Sequence, residues 1–154
     1  MPESLKIEVI PEGGTVIDHI PAGKWLKVIE ILGLTEPNGG TLLIASNVPS
    51  KKLGRKDIVK VEGRYLSEEE VNKIALIAPM ATVNIVKDYK IIEKFNVEIP
   101  DEITGILKCP NPNCVSNHEY VTSRFHVESR EPLKLRCHYC ERTIEGGEDI
   151  IGSL

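Results

Sequence analysis

Large rings are scarce in this chain. Two Phe and one Trp are present and aromatic residues make up 5% of the whole, so any core must be built mainly from aliphatic side chains. Long apolar runs are missing as well. No stretch approaches the roughly 20 residues that a membrane-crossing helix needs, and the opening MPESLKIEVI lacks the cationic start and long apolar centre of a secretory signal. The expectation is a cytoplasmic chain with no membrane partner. Basic excess is absent too: the net charge of −4 argues against a generic binder of nucleic acid or anionic lipid. Cysteine is missing from the first 108 residues, and all four cysteines fall in two close pairs after that point. Together with the missing secretory signal, this favours metal ligands over disulfides.

The 154 residues suffice for one compact domain or two small ones. The first hundred alternate between strand-like and helix-like patterns. Thr15 to Ile20 is a β-branched run interrupted by Asp18 and His19. Pro21 suits the first turn of a helix, in which Trp25, Leu26, Ile29 and Leu32 recur at helical spacing until Gly33. TEPNGG (35–40) is a turn, TLLIAS (41–46) and DIVKVEG (57–63) are strands, and NVPSKKLGRK between them is a polar loop. Ser67 with Glu70 forms a capping box ahead of a helix that buries Val71, Ile74, Ala75 and Ile77 or Ala78 and ends at Pro79. TVNIV and YKIIEKF are two further strands about a turn at Lys87-Asp88. Strand, helix, strand, strand, helix, strand and an extra strand is the split βαβ, or ferredoxin-like, order. A plain α+β sheet without that connectivity is the alternative.

A change of character at NVEIPDEITG divides the chain into residues 1–100 and 101–154, the second part strand-rich from ILKC onward. So small a unit has little core and needs a staple. CPNPNC supplies Cys109 and Cys114, and CHYC supplies Cys137 and Cys140. Two such knuckles present four thiolates to one tetrahedral Zn2+, at about 2.3 Å each, with no position left for a catalytic water. The metal is then structural. Iron suits the same thiolates, His118, His126 and His138 are substitute ligands, and two disulfides are the metal-free alternative. From Ile103 to Leu154, six basic residues face seven acidic ones, so this expected antiparallel β zinc domain suits a protein partner better than nucleic acid.

Catalytic motifs are missing: there is no GxxxxGK[ST], GxSxG or HExxH. Polar residues are instead planted in apolar strands. Lys60 interrupts IVKVE, Asn84 interrupts TVNIV, and Lys94 lies in YKIIEKF, so these either converge on a small ligand or lie on a solvated strand face.

GTVIDHIPAG, GRKDIVKVEG, LSEEEVNKIALIAPMATVNIVKDYKIIEK and CPNPNCVSNHE…CHYCE together resemble, in order and spacing, the regulatory chain of aspartate carbamoyltransferase. The likeness runs from about Leu5 to beyond Cys140. It implies a non-catalytic subunit acting in pyrimidine biosynthesis, whose N-terminal domain binds CTP as inhibitor and ATP as activator, with UTP a further candidate ligand. Asp18, His19, Lys60, Asn84, Tyr89, Ile91 and Lys94 fall at the family's nucleotide-binding positions, and Ile10, Val16 and Val86 at its apolar or backbone contacts to base and sugar. On this likeness Asp18 accepts from ribose hydroxyls, His19 and Lys94 serve the phosphates, Lys60 the ribose or base, and Asn84 the phosphate end.

By the same likeness, the Zn2+ domain docks the catalytic chain through Asn111, Asn113, Glu119, Arg130, Tyr139 and Glu141, with Asn111 and Asn113 also shaping their turn. The implied assembly joins two catalytic trimers by three regulatory dimers, each dimer formed through N-terminal domains. This sequence departs from the family pattern at Pro11 to Gly14, which is less basic, and between Arg130 and Cys137, which is one residue shorter. Gly23-Lys24-Trp25 also differs from the usual helix start. The first departure borders the base pocket and leaves the sign of each nucleotide's effect open.

Overall fold

A computed structural model of the chain describes residues 13–34 and 41–145. The turn expected at TEPNGG and the contact expected at Ile10 lie outside the described residues. The chain forms two compact units, Met1–Glu98 and Ile99–Leu154.

In the first unit the order is β1 (Gly14–Pro21), α1 (Trp25–Ile31), β2 (Leu42–Ser50), β3 (Gly54–Glu62), α2 (Glu68–Asn72), β4 (Thr82–Lys87) and β5 (Lys90–Asn96). The strands make one sheet in the order β2-β3-β1-β4-β5, antiparallel throughout. That is the ferredoxin-like arrangement, with β5 added at one edge. Alternation divides the side chains between two faces. Thr15, Ile17, Val59, Val61, Val83 and Ile85 project from one face and are all buried, as are Val28 and Ile29 of α1, Val71 of α2 and Ile74 just beyond it. The α1 stripe runs Trp25, Val28, Ile29, Leu32, with Leu26 exposed, so the expected face is rotated by part of a turn.

The capping box forms as expected: Glu70 N–H donates to Ser67 Oγ at 3.2 Å and Ser67 N–H to Glu70 Oε1 at 3.3 Å. Regular α-helix then stops at Asn72 and continues as tight turns, although Ile74, Ala75, Ile77 and Ala78 are buried as the pattern predicts. NVPSKKLGRK is not a loop. It extends the β2–β3 hairpin, pairing Val48 with Lys56 and Ser50 with Gly54, and leaves a turn at 51–53. Pro21 closes β1 and does not open α1. The β4–β5 turn falls on Asp88 and Tyr89, both at positive φ, one residue later than expected.

Asp57 fixes the geometry at the sheet's end. It is fully buried, and its Oδ2 accepts the N–H of Gly23 (2.8 Å) and of Trp25 (3.1 Å), so it serves α1, whose N-cap Lys24 makes no side-chain cap. Its Oδ1 accepts Ser46 Oγ–H (2.9 Å) and Asn47 N–H (2.8 Å), holding the point where β2 shifts register and Asn47 takes a positive φ. Four donors to one buried carboxylate offset its desolvation.

The second unit carries a four-stranded antiparallel sheet, β6 (Glu102–Thr104), β7 (Arg124–Arg130), β8 (Leu133–Cys137) and β9 (Thr143–Glu145), in sequence order. The segment ILKC is irregular; the first strand lies just before it. Phe125, Leu135, Ile103, Leu107 and Ile144 form a small core. Among the described residues, no helix is long and apolar enough to cross a membrane.

Candidate functional site

The run TVIDHI is a strand with a fault in it. Between Ile17 and Ile20, β1 spends one residue more than β3, and His19 adopts φ 59°, the signature of a β-bulge. The bulge satisfies Asp18 locally: its Oδ1 accepts the His19 N–H at 2.6 Å and lies 2.8 Å from Lys56 Nζ. His19 Nδ1 shares a 3.0 Å hydrogen bond with Thr82 Oγ1 on β4. Burial, helped by the charges of Lys56, Lys52 and Lys94, holds the imidazole below its ordinary pKa against the pull of Asp18. The site therefore favours the neutral imidazole.

Register brings the other polar interruptions into line. Lys60 pairs with Val16, Val16 with Asn84, and Asn84 with Lys94, so the four stand in one row across β3, β1, β4 and β5. Directly opposed residues project from the same face. One step along, Asp18 opposes Thr82, and in the other direction Gly14 opposes Val86, which opposes Ile91. This is the face opposite the one that carries Ile17, Val59 and Val83. Val16, Ile58 and Val86 make a buried apolar cluster on it, flanked by Ala45 and Val48. Lys60 and Asn84 are buried there, while Lys94 is exposed. Among the described residues, Asn84 Oδ1 is the one buried side-chain polar atom with no hydrogen-bond partner. Such an atom costs free energy unless a further group meets it.

The backbone approaches closely at the end of this face. A side chain on Gly13 would start 2.6 Å from the Val86 carbonyl oxygen, and one on Gly14 would collide with that of Val61. Tyr89, 65% exposed, and Ile91 stand at the rim. Lys56 was hidden from the sequence reading because its segment reads as a loop; as a strand, 56, 58 and 60 alternate onto one face.

In the second unit the four cysteine sulfurs lie within 4.8 Å of one another. Cys109 and Cys140 Sγ are 3.7 Å apart, as are Cys114 and Cys137 Sγ. A tetrahedron with metal–sulfur bonds of about 2.3 Å has edges of about 3.8 Å, whereas a disulfide requires about 2.05 Å. The sulfurs thus fit a four-thiolate metal and are not paired as disulfides. Burial pushes the Cys109 thiol up to about 12, while at Cys140 burial is outweighed by hydrogen bonds from Arg142 and Asn111, bringing it down to about 7. Asn111 Oδ1 accepts Asn113 N–H at 3.1 Å, and Asn117 Nδ2 donates to the carbonyls of Cys109 (3.0 Å) and Asn111 (2.7 Å), which shapes the first knuckle. His118 Nε2 bonds Pro112 O at 2.6 Å, and His126 bonds His138, so these rings are engaged elsewhere.

Of the expected docking residues, Asn113, Glu119, Arg130, Tyr139 and Glu141 are exposed and Asn111 is buried. Arg130 pairs with Asp101 at 2.7 Å, Tyr139 O–H donates to Thr122 O at 2.8 Å, and Glu141 sits at φ 64°. Tyr120, the tyrosine in the polar run NHEYVTS, is wholly exposed beside them in sequence.

Residues 5–98 match the family described as aspartate carbamoyltransferase regulatory chain, allosteric domain, and residues 101–150 its metal binding domain. This chain belongs to the aspartate carbamoyltransferase regulatory chains. Proteins of that name from Thermococcus kodakarensis and Thermococcus gammatolerans are 95% and 89% identical to it, the first over 96% of this chain and 97% of the relative, the second over the whole of both. The namesake from Pyrococcus abyssi is 72% identical over 97% of this chain and 98% of its own. As a member of that family the chain is a non-catalytic subunit with an allosteric and a metal-binding domain, as the resemblance implied.

Proposed function

We propose that residues 1–100 bind CTP and ATP, with UTP a further ligand, in one shared site on the sheet face that carries Lys60, Val16, Asn84 and Lys94. The observation that carries this reading is the in-register row, with a buried, unpartnered Asn84 Oδ1 at its centre. Base and ribose rest over Val16 and Val86 near Asp18 and Lys60, where Asp18 accepts from the ribose hydroxyls. The phosphates extend past Asn84 toward Lys94 and His19. Ile10, Tyr89 and Ile91 border the base. A net acidic chain binds an anion here because the local lysines set the field.

Residues 101–154 hold one structural Zn2+ on Cys109, Cys114, Cys137 and Cys140. They dock the catalytic chain through Asn111, Asn113, Glu119, Arg130, Tyr139 and Glu141. Exposed Val115 and Tyr120, and a groove of about 490 Å3 beside the first knuckle, lined by Ile106, Leu107 and Val121 among others, support a protein partner there. The working assembly is cytoplasmic and joins two catalytic trimers by three regulatory dimers. Nucleotide changes the catalytic chain's activity only by favouring one quaternary state, typically by about 1–3 kcal/mol. Competition calorimetry tests the shared site. CTP and ATP exclude one another at one site per chain, and simultaneous independent saturation rejects the reading. Activity of the reconstituted complex with and without each nucleotide gives the sign of its effect.

A further inference from the structure

We propose that His126 and His138 form a second metal site, separate from the thiolates, that takes a divalent imidazole-seeking ion such as Ni2+ or Cu2+. His126 stands on β7. His138 directly follows β8, and its N–H is tied to Arg124 O on β7 at 2.8 Å, so both rings rise from paired backbone. The ring centroids are 5.1 Å apart, and His126 Nε2 lies 2.9 Å from His138 Nδ1. A hydrogen bond joins these two nitrogens, and one metal ion can take its place between the rings. With metal–imidazole bonds of about 2.1 Å, a 2.9 Å separation subtends about 90° at the ion. That is the angle between neighbouring ligands in octahedral or square-planar coordination, the geometries of Ni2+ and Cu2+, and it is narrower than tetrahedral Zn2+ requires.

The surroundings prepare one lone pair for the ion. Glu102 Oε1 lies 3.4 Å from His126 Nδ1, the nitrogen turned away from His138, and favours the proton there. Nε2 is left to face His138. Glu102 is itself held by Arg124, whose Nη2 donates to Oε1 at 2.8 Å and to Oε2 at 3.1 Å. A carboxylate behind a ligating imidazole orients the ring and fixes which nitrogen faces the ion. Among the described residues no third side chain joins the two nitrogens in a cluster, so the remaining coordination positions belong to water or to an incoming donor.

The test titrates the full chain, already loaded with zinc, with NiCl2 in a calorimeter while its zinc content is followed. One Ni2+ binds per chain with zinc retained. His138→Ala, at an exposed position, and His126→Gln each weaken it at least tenfold, and Glu102→Gln, which touches no metal, weakens it about tenfold. Retained zinc and an unchanged circular dichroism spectrum establish that each variant is folded. Nickel affinity unaltered by both histidine replacements, nickel uptake that displaces an equal amount of zinc, or no uptake by the parent chain overturns the proposal.

Discussion

Lys56 Nζ lies 2.8 Å from Asp18 Oδ1, tying the hairpin end of β3 to the bulge in β1. Both side chains are largely shielded, at 11% and 24% exposure, so the pair is stronger than an ordinary surface ion pair. Lys56→Met keeps most of the stem and removes the charge. The expected loss in urea unfolding is about 1–2 kcal/mol, at the lower end for charged hydrogen bonds because Asp18 still reaches water. Nucleoside affinity falls as well, since Asp18 loses its anchor. Unchanged stability would show that the bulge positions Asp18 without help.

In the proposed nucleotide site, His19 is expected to make binding pH-dependent. Its pKa in the free chain is depressed by burial and by neighbouring lysines. A bound triphosphate places negative charge beside it and raises that pKa, so binding takes up protons and tightens as pH falls from 7 toward 6. Calorimetry of ATP binding in buffers of differing ionisation enthalpy measures the uptake, and His19→Gln abolishes it. The free chain behaves oppositely. The unfolded histidine takes a proton before the folded one does, so this residue's contribution to stability is kept above its ordinary value near 6.5 and falls as pH drops from there through the folded pKa.

In the proposed site, Lys94 is expected to separate phosphate recognition from base recognition. It stands opposite Asn84 but is exposed, and its ammonium is among the charges felt by His19. Lys94→Ala is expected to weaken triphosphate binding about tenfold or more, the worth of one charge-assisted hydrogen bond, while leaving nucleoside binding nearly unchanged. Raising the salt concentration narrows the difference, because exposed charges are screened. Equal losses for nucleoside and triphosphate would remove Lys94 from the phosphate end.

The parts of this fold that follow from strict period-two alternation were readable directly. In TVNIV and IVKVE the pleat alone puts Asn84 and Lys60 on the opposite face from Val83 and Val59. The bulge at Asp18-His19 was visible as an interruption but not as a backbone shape, since His19's positive φ depends on how β1 closes against β3. Composition misled at NVPSKKLGRK. Proline and lysines argue for a loop, yet Pro49 lies on β2, an edge strand, where a missing N–H costs no sheet bond. Misreading that hairpin concealed Lys56. The role of Asp57 was equally invisible, because its four donors come from segments separated in sequence. The thiolate cluster was legible in full, since two short knuckles carry their own geometry.

Metal removal is expected to act on one unit and spare the other. Residues 101–145 have a core led by Phe125 and Leu135, too small to hold four short strands without the link between the two knuckles. Metal binding at such sites is folding free energy, so chelation unfolds β6 to β9. The β1–β5 sheet has its own buried core and contributes no cysteine, so it persists. Hydrogen exchange before and after chelation reads both units at once: protection is lost across β7 and β8 and kept across β1 and β4. Loading the metal again releases protons, since burial keeps the Cys109 thiol protonated up to about 12 until a cation displaces its proton. Affinity therefore falls as pH is lowered. Full protection of β7 and β8 in the chelated chain would mean that the hydrophobic contacts suffice and that the four cysteines serve some purpose other than holding the unit together.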